Sequence, residues 1–189
     1  MMAPRTLLQT LRWSAAALVM GGSLWLFVEG GADQGDGEGN GVMEMHAFEK
    51  RVVEATLAGV DYDPDQVARA RRNLAAHPAL AGRIVFDRGD ATALAFPKQT
   101  FDFAYELNVL HHIADYPRAL LEVGWVLRPG APFLLQDLSR AFFPSGVRRL
   151  FPPESLFTRE ELSRELEAAG FSVEAAAGRV VLFLRARRR

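Results

Sequence analysis

The chain has 189 residues, 49% of them hydrophobic and 10% aromatic, with 22 Lys and Arg against 23 Asp and Glu. That is enough apolar material for the core of one domain and too little for two large ones, and it excludes a disordered chain or a multispan membrane protein. A formal charge of -1 lacks the basic excess of a nucleic-acid binder, and the absence of cysteine removes disulfides, thiolate metal sites and a Cys nucleophile. Four histidines remain, His46, His77, His111 and His112, so a zinc site would have to lean on the adjacent pair and borrow carboxylates. No metal site is expected.

The first segment, 1–22, is apolar and helical in pattern. Residues 13–28 are uncharged and follow Arg5 and Arg12, as at the start of a signal peptide or a membrane anchor. The run is short of the roughly 20 residues a span needs, and Gly21-Gly22 interrupts it. Three readings stay open: a cleaved signal ending near Gly30-Gly31-Ala32, an anchor giving membrane contact, or a helix over Leu7–Met20 followed by a buried strand. With the third reading the chain is cytoplasmic; with the anchor it is membrane-associated.

From residue 23 to 189, apolar runs alternate with helical patterns, the signature of an α/β domain with a parallel sheet. Strands are expected at Leu24–Val28, Thr56–Val60, Arg83–Phe86, Phe101–Leu107 and Pro132–Gln136. A helix follows the second strand, with Asp63 as N-cap, Pro64 at its first position and Gln66 completing a capping box. Another starts at Asp115 and runs to Pro129-Gly130. A third opens on the capping box Thr158 and Glu161 and stops at Gly170. Phe171–Ala175 and Arg179–Leu184 read as a closing strand pair, and Arg185–Arg189 as a solvated tail.

The loop Gly35-Asp36-Gly37-Glu38-Gly39-Asn40-Gly41 allows backbone to approach a ligand closely. Its spacing fits neither the G-x-G-x-x-G dinucleotide pattern nor a Walker A sequence, which disfavours NAD and nucleoside triphosphates. Asp61, at the end of the second strand, is placed to hydrogen-bond the two hydroxyls of a ribose. Arg88-Gly89-Asp90-Ala91 ends the third strand with a further carboxylate. The carboxyl ends of parallel strands face one crevice, so the three sites are expected to converge on one ligand. The Asp61-x-Asp63-x-Asp65 spacing lacks the glycine and the twelfth-position acid of a calcium loop, and is better explained by helix capping.

The series Gly37-x-Gly39-x-Gly41, Gly59-Val60-Asp61-Tyr62-Asp63-Pro64, Gly89-Asp90-Ala91-Thr92-Ala93-Leu94, Phe101-Asp102-Phe103, Val109-Leu110-His111-His112 and Val126-Leu127-Arg128-Pro129-Gly130 resembles the class I S-adenosylmethionine-dependent methyltransferases. Its flavour is that of the small-molecule, type 11-like enzymes. The resemblance implies a doubly wound, Rossmann-like seven-stranded sheet with its last strand antiparallel, and S-adenosylmethionine as cofactor. It further implies that Gly37, Gly39 and Gly41 line the methionine part and that Asp61 holds the ribose. Tyr62 would lie against the adenine, Asp90 and Ala91 would meet its edge, and Glu106 and Asn108 would border the methyl group. The sequence departs from the family at Gly35, where an acid is expected two positions before the first glycine; registers starting at Asp33 or Glu29 restore the acid at the expense of spacing.

Methyl transfer from a sulfonium is an in-line displacement in which alignment and desolvation supply most of the rate. A base helps where the acceptor is a hydroxyl or amine, and His111 and His112 are the candidates. Phe142, Phe143, Phe151 and Phe157 form an aromatic lid or core, which points to a small apolar or aromatic acceptor. The competing reading keeps the fold without catalysis, as a degenerate binding module with an apolar N-terminal anchor.

Overall fold

The computed structural model describes residues 24–29, 56–78 and 82–189. The expected helix 7–20 and the glycine loop lie outside these residues. Seven strands form one mixed sheet in the order β3-β2-β1-β4-β5-β7-β6: β1 (Leu24–Glu29), β2 (Thr56–Asp61), β3 (Ile84–Arg88), β4 (Phe103–Leu107), β5 (Pro132–Leu138), β6 (Phe171–Ala177) and β7 (Val181–Arg188). The helices of the described residues are α1 (Pro64–Ala75), α2 (Tyr116–Val126), the single turn α3 (Ser145–Arg148) and α4 (Arg159–Ala168).

The expected parallel arrangement needs one correction. β2 pairs parallel with β3, and β4 parallel with β5, but β1 runs antiparallel to both β2 and β4. β7 is antiparallel to both its neighbours, β5 and β6. Because β1 opposes both flanking strands, β2 to β5 still point the same way and their carboxyl ends share one edge. β1 itself starts at that edge, with Leu24 opposite Leu107, and finishes at the far one, with Glu29 opposite Thr56.

Local chemistry sets the helices. Asp63 caps α1 by accepting from Asp65 N at 2.8 Å, and Pro64 supplies a helical φ at a position that needs no donor. This Asx turn is the α1 cap, in place of the box expected with Gln66. The box on α4 is complete: Thr158 Oγ1 accepts from Glu161 N, and Glu161 Oε2 accepts from Thr158 N. α2 is capped by Asp115, which accepts from Arg118 N at 3.1 Å. α2 buries Leu120, Val123 and Val126 at 0% exposure against the sheet, each contributing about 1.5–3 kcal/mol of apolar transfer. It ends at Val126, where Leu127 turns extended to bridge Phe101.

The main core joins α2 and α4 to the sheet through Val123, Leu162 and Leu166 on the helices and Ala104, Phe133, Phe171 and Leu182 on β4 to β7; a smaller one seats α1 on β2 and β3 through Leu57, Val67 and Phe86. The expected C-terminal tail is strand. Leu182, Leu184 and Ala186 point inward at 0 to 4% exposure, and β7 continues to Arg188. Arg188 then ties the packed helices to the sheet, donating from Nε to Gly124 O and from Nη1 to Gly170 O, both at 2.8 Å. Among the described residues no helix is long and apolar enough to cross a membrane.

Candidate active site

The carboxyl ends of β2, β3 and β4 enclose a cleft of about 420 Å³, inside the roughly 300–1,000 Å³ typical of small-ligand sites. Asp61, Tyr62 and Asp63 enter it from β2, Gly89 to Thr92 from β3, and Val109 with His112 to Asp115 from the turn after β4. The loops are locked together by backbone: Gly89 N donates to Asp61 O at 3.0 Å.

Each side chain is oriented locally. Asp61 Oδ1 accepts from Asp63 N at 2.8 Å, which fixes its carboxylate at the cleft floor. Burial pushes the Asp61 carboxyl above its ordinary range; the Asp63 amide opposes that shift and the Asp63 charge adds to it. Asp90 Oδ1 accepts from both Thr92 N and Thr92 Oγ1, at 2.8 and 2.7 Å. Tyr62 is 68% exposed, unusual for a large aromatic, and is steadied by Arg88, whose guanidinium lies 5.4 Å from the ring centroid and donates to Tyr62 O at 3.2 Å. Gly89 is required by space: a Cβ there would meet Val60 Cγ1 at 2.5 Å.

The histidine pair is split. His111 is buried and its Nδ1 hydrogen-bonds Asp137 Oδ1, while His112 is exposed and lines the cleft. Burial, helped by His111, lowers the pKa of His112, and Asp137 pulls the other way. The shift favours the neutral imidazole, the form that accepts a proton.

The structure brings Asp61, Tyr62, Asp90, Ala91 and His112 to one cleft, with Gly37, Gly39 and Gly41 outside the described residues. Glu106 and Asn108 do not line it. Glu106 is fully buried and accepts from Val109 N at 2.5 Å, holding the turn that carries His112. Its carboxyl is raised well above the ordinary range by burial, then by the Asp137 charge, against the lowering effect of the Val109 and Leu110 amides. Asn108 has φ +54° and donates its N–H to Gln136 O at 2.8 Å, turning the chain out of β4. Thr92 and Asp137 were missed as site residues. Thr92 stood inside a quoted motif, and Asp137 had only its position near a strand end to mark it. Of the aromatic lid, Phe143 and Phe157 are core at 4 and 1% exposure, Phe142 is on the surface, and Phe151 stacks beside His112 with centroids 5.6 Å apart.

The cleft fits the adenosine half of S-adenosylmethionine: a carboxylate at a strand end for ribose hydroxyls, an exposed aromatic beside it, and a close backbone approach at Gly89. Comparison with known proteins agrees. Residues 32–135 match the methyltransferase domain family. A probable S-adenosylmethionine-dependent methyltransferase of Mycolicibacterium smegmatis is 33% identical over 150 residues, 77% of this chain and 53% of that protein. O-methyltransferase cnsE of Penicillium expansum is 30% identical over 147 residues, 75% of this chain and 51% of the relative. The chain thus spans about half the length of these curated relatives. A solved SAM-dependent methyltransferase from Methanosarcina mazei superposes with a TM-score of 0.57 at 21% identity, over 69% of this chain and 81% of that one, a likeness of fold. The chain belongs to the methyltransferase domain family, among the class I S-adenosylmethionine-dependent methyltransferases.

Proposed function

We propose that the protein transfers a methyl group from S-adenosylmethionine to a small apolar or aromatic acceptor. The observation that carries this reading is the cleft in which Asp61, Tyr62 and the Asp90-Ala91 turn converge. Asp61 accepts hydrogen bonds from the ribose hydroxyls, Tyr62 lies against the adenine, and Asp90 and Ala91 meet its edge. Gly37, Gly39 and Gly41 are assigned to the methionine end. The bound cofactor supplies an electrophilic methyl on a sulfonium.

His112 receives the acceptor's proton as its oxygen or nitrogen takes the methyl. Its lowered pKa favours the neutral form for that task. His111 acts through Asp137, keeping the turn in place. Glu106, below the same turn, is a positioning residue. Phe151 next to His112 gives the acceptor an apolar wall, and a relative named as an O-methyltransferase supports an oxygen acceptor. Residues 23–189 form the methyltransferase domain and 1–22 an appended apolar segment. A cytoplasmic setting follows from the use of a cytosolic cofactor.

Calorimetric titration of the full-length chain with S-adenosylmethionine and S-adenosylhomocysteine tests the reading. Micromolar binding, about 8 kcal/mol, lost in Asp61→Ala is the expected result. No binding by a chain with intact circular dichroism would overturn it in favour of a non-catalytic module.

A further inference from the structure

The link between β5 and α4 packs beside the turn that carries His112: Ser155 Oγ donates to His111 O at 2.8 Å, and the Phe151 ring lies 5.6 Å from that of His112. Between Leu138 and Thr158 it carries three Arg, of which Arg140 pairs with Glu161, and one acid, the exposed Glu154, in a chain whose overall charge is -1. Phe143 anchors it: the ring is 4% exposed, 5.5 Å from His111 and 4.5 Å from Phe151, and Phe143 O accepts from Arg148 Nε at 2.8 Å. On this fixed base Phe142, Val147 and Leu150 point outward, at 48, 39 and 81% exposure. Arg148 and Arg149 are exposed beside them, and neither has an ion-pair partner among the described residues. Val180, 43% exposed, joins the same edge, since Ser139 N donates to Val180 O at 2.9 Å.

We propose that this segment docks the protein on an anionic lipid bilayer, from which the apolar acceptor enters the site. Scattered exposed apolar residues are ordinary, but apolar tips interleaved with guanidinium groups, with no acid between Phe142 and Leu150, match a surface of acyl chains topped by negative headgroups. Leu150, the most exposed of them at 81%, suits insertion between lipids. An aromatic path then runs inward from Phe142 to Phe143, Phe151 and His112, with successive centroids 5.1, 4.5 and 5.6 Å apart. The entry route rests on the proposed methyl transfer; the docking does not.

Sedimentation of the full-length chain with vesicles tests the docking alone. The protein should pellet with phosphatidylglycerol–phosphatidylcholine vesicles, less so at high salt, and only weakly with phosphatidylcholine. Arg149→Gln should lower affinity for the anionic vesicles about 5-fold, and Leu150→Glu should lower it for both compositions. These residues are exposed, so urea unfolding and S-adenosylmethionine affinity should not change, which separates this result from the cofactor test. No vesicle binding, or binding that Leu150→Glu leaves intact because the apolar 13–28 stretch carries it, would overturn the proposal. So would a Leu150→Glu effect confined to self-association in sedimentation velocity, which would assign the surface to a second copy of the chain.

Discussion

His111 Nδ1 hydrogen-bonds Asp137 Oδ1 with both side chains buried, so the turn after β4 is fastened to the end of β5 by a contact that water does not reach. Asp137 also accepts from Leu138 N at 2.5 Å and from His111 N at 3.3 Å. Asp137→Ala leaves two buried donors on His111 and the partly buried Leu138 N without an acceptor, and the expected loss is about 3–5 kcal/mol, the range for breaking one side of a buried pair. Asp137→Asn keeps an acceptor and should cost less, about 1–3 kcal/mol. Urea unfolding of both variants measures the difference; equal losses would mean that the carboxylate charge, and not hydrogen bonding, is what the turn depends on.

Glu106 makes stability depend on pH. Its folded pKa is raised well above the ordinary 4.5 by burial and by Asp137, so between the two values the folded chain binds a proton that the unfolded chain has lost. The stabilisation is complete below about pH 4.5 and falls as pH rises through the folded pKa. Glu106→Gln can present a neutral carbonyl oxygen to Val109 N without titrating. Wild type should therefore lose stability relative to Glu106→Gln between pH 5 and pH 8. Parallel urea curves at the two pH values would show instead that the carboxyl ionises in place.

Much of this was legible before the structure. The Asp63-Pro64 and Thr158/Glu161 signals are local, made by residues within one turn, and both mark real helix starts. Asp61 was found because a carboxylate just past an apolar strand has one place to go in such a sheet. The direction of β1 was not legible, because Leu24–Val28 is apolar throughout and reads alike in either sense; direction is fixed by pairing with β2 and β4. The C-terminus was misread because five arginine-rich residues outweighed the period-two alternation of Leu182, Leu184 and Ala186, which did continue through them. His111 and His112 looked equivalent in sequence, yet they lie in a three-residue 3-10 turn that rotates successive side chains by about 120°, sending one inward and one to the cleft.

Gly89 offers a test of the cleft floor that separates packing from chemistry. The Cβ of Gly89→Ala would press on Val60 Cγ1, a residue 4% exposed, and overpacking of that kind costs about 1–3 kcal/mol. Val60→Ala removes the obstructing methyl. The double variant Val60→Ala/Gly89→Ala should recover part of the stability lost in Gly89→Ala, while cofactor affinity stays low if the new methyl also occupies space the ligand needs. Recovery of both by thermal melting and calorimetry would mean that Gly89 serves packing alone.

Arg188 tests the closing strand. Its partly buried guanidinium donates to Gly124 O and Gly170 O, and its backbone exchanges hydrogen bonds with Gly130 and Ala131 at 2.8 and 2.9 Å. Arg188→Ala strips charged donors from two carbonyls at helix ends, a loss of about 1.5–3 kcal/mol. Arg188→Lys reaches one carbonyl at best, because an ammonium cannot span both as the planar fork does, so it should recover less than half of that. Truncation after Leu184 is a different perturbation: it deletes the rungs from Leu134↔Arg185 to Pro132↔Arg187 and unseats the fully buried Ala186. The truncated chain should fail to fold, as read by circular dichroism and protease resistance. A folded, protease-resistant truncation would return the last residues to the solvated tail that their charge first suggested.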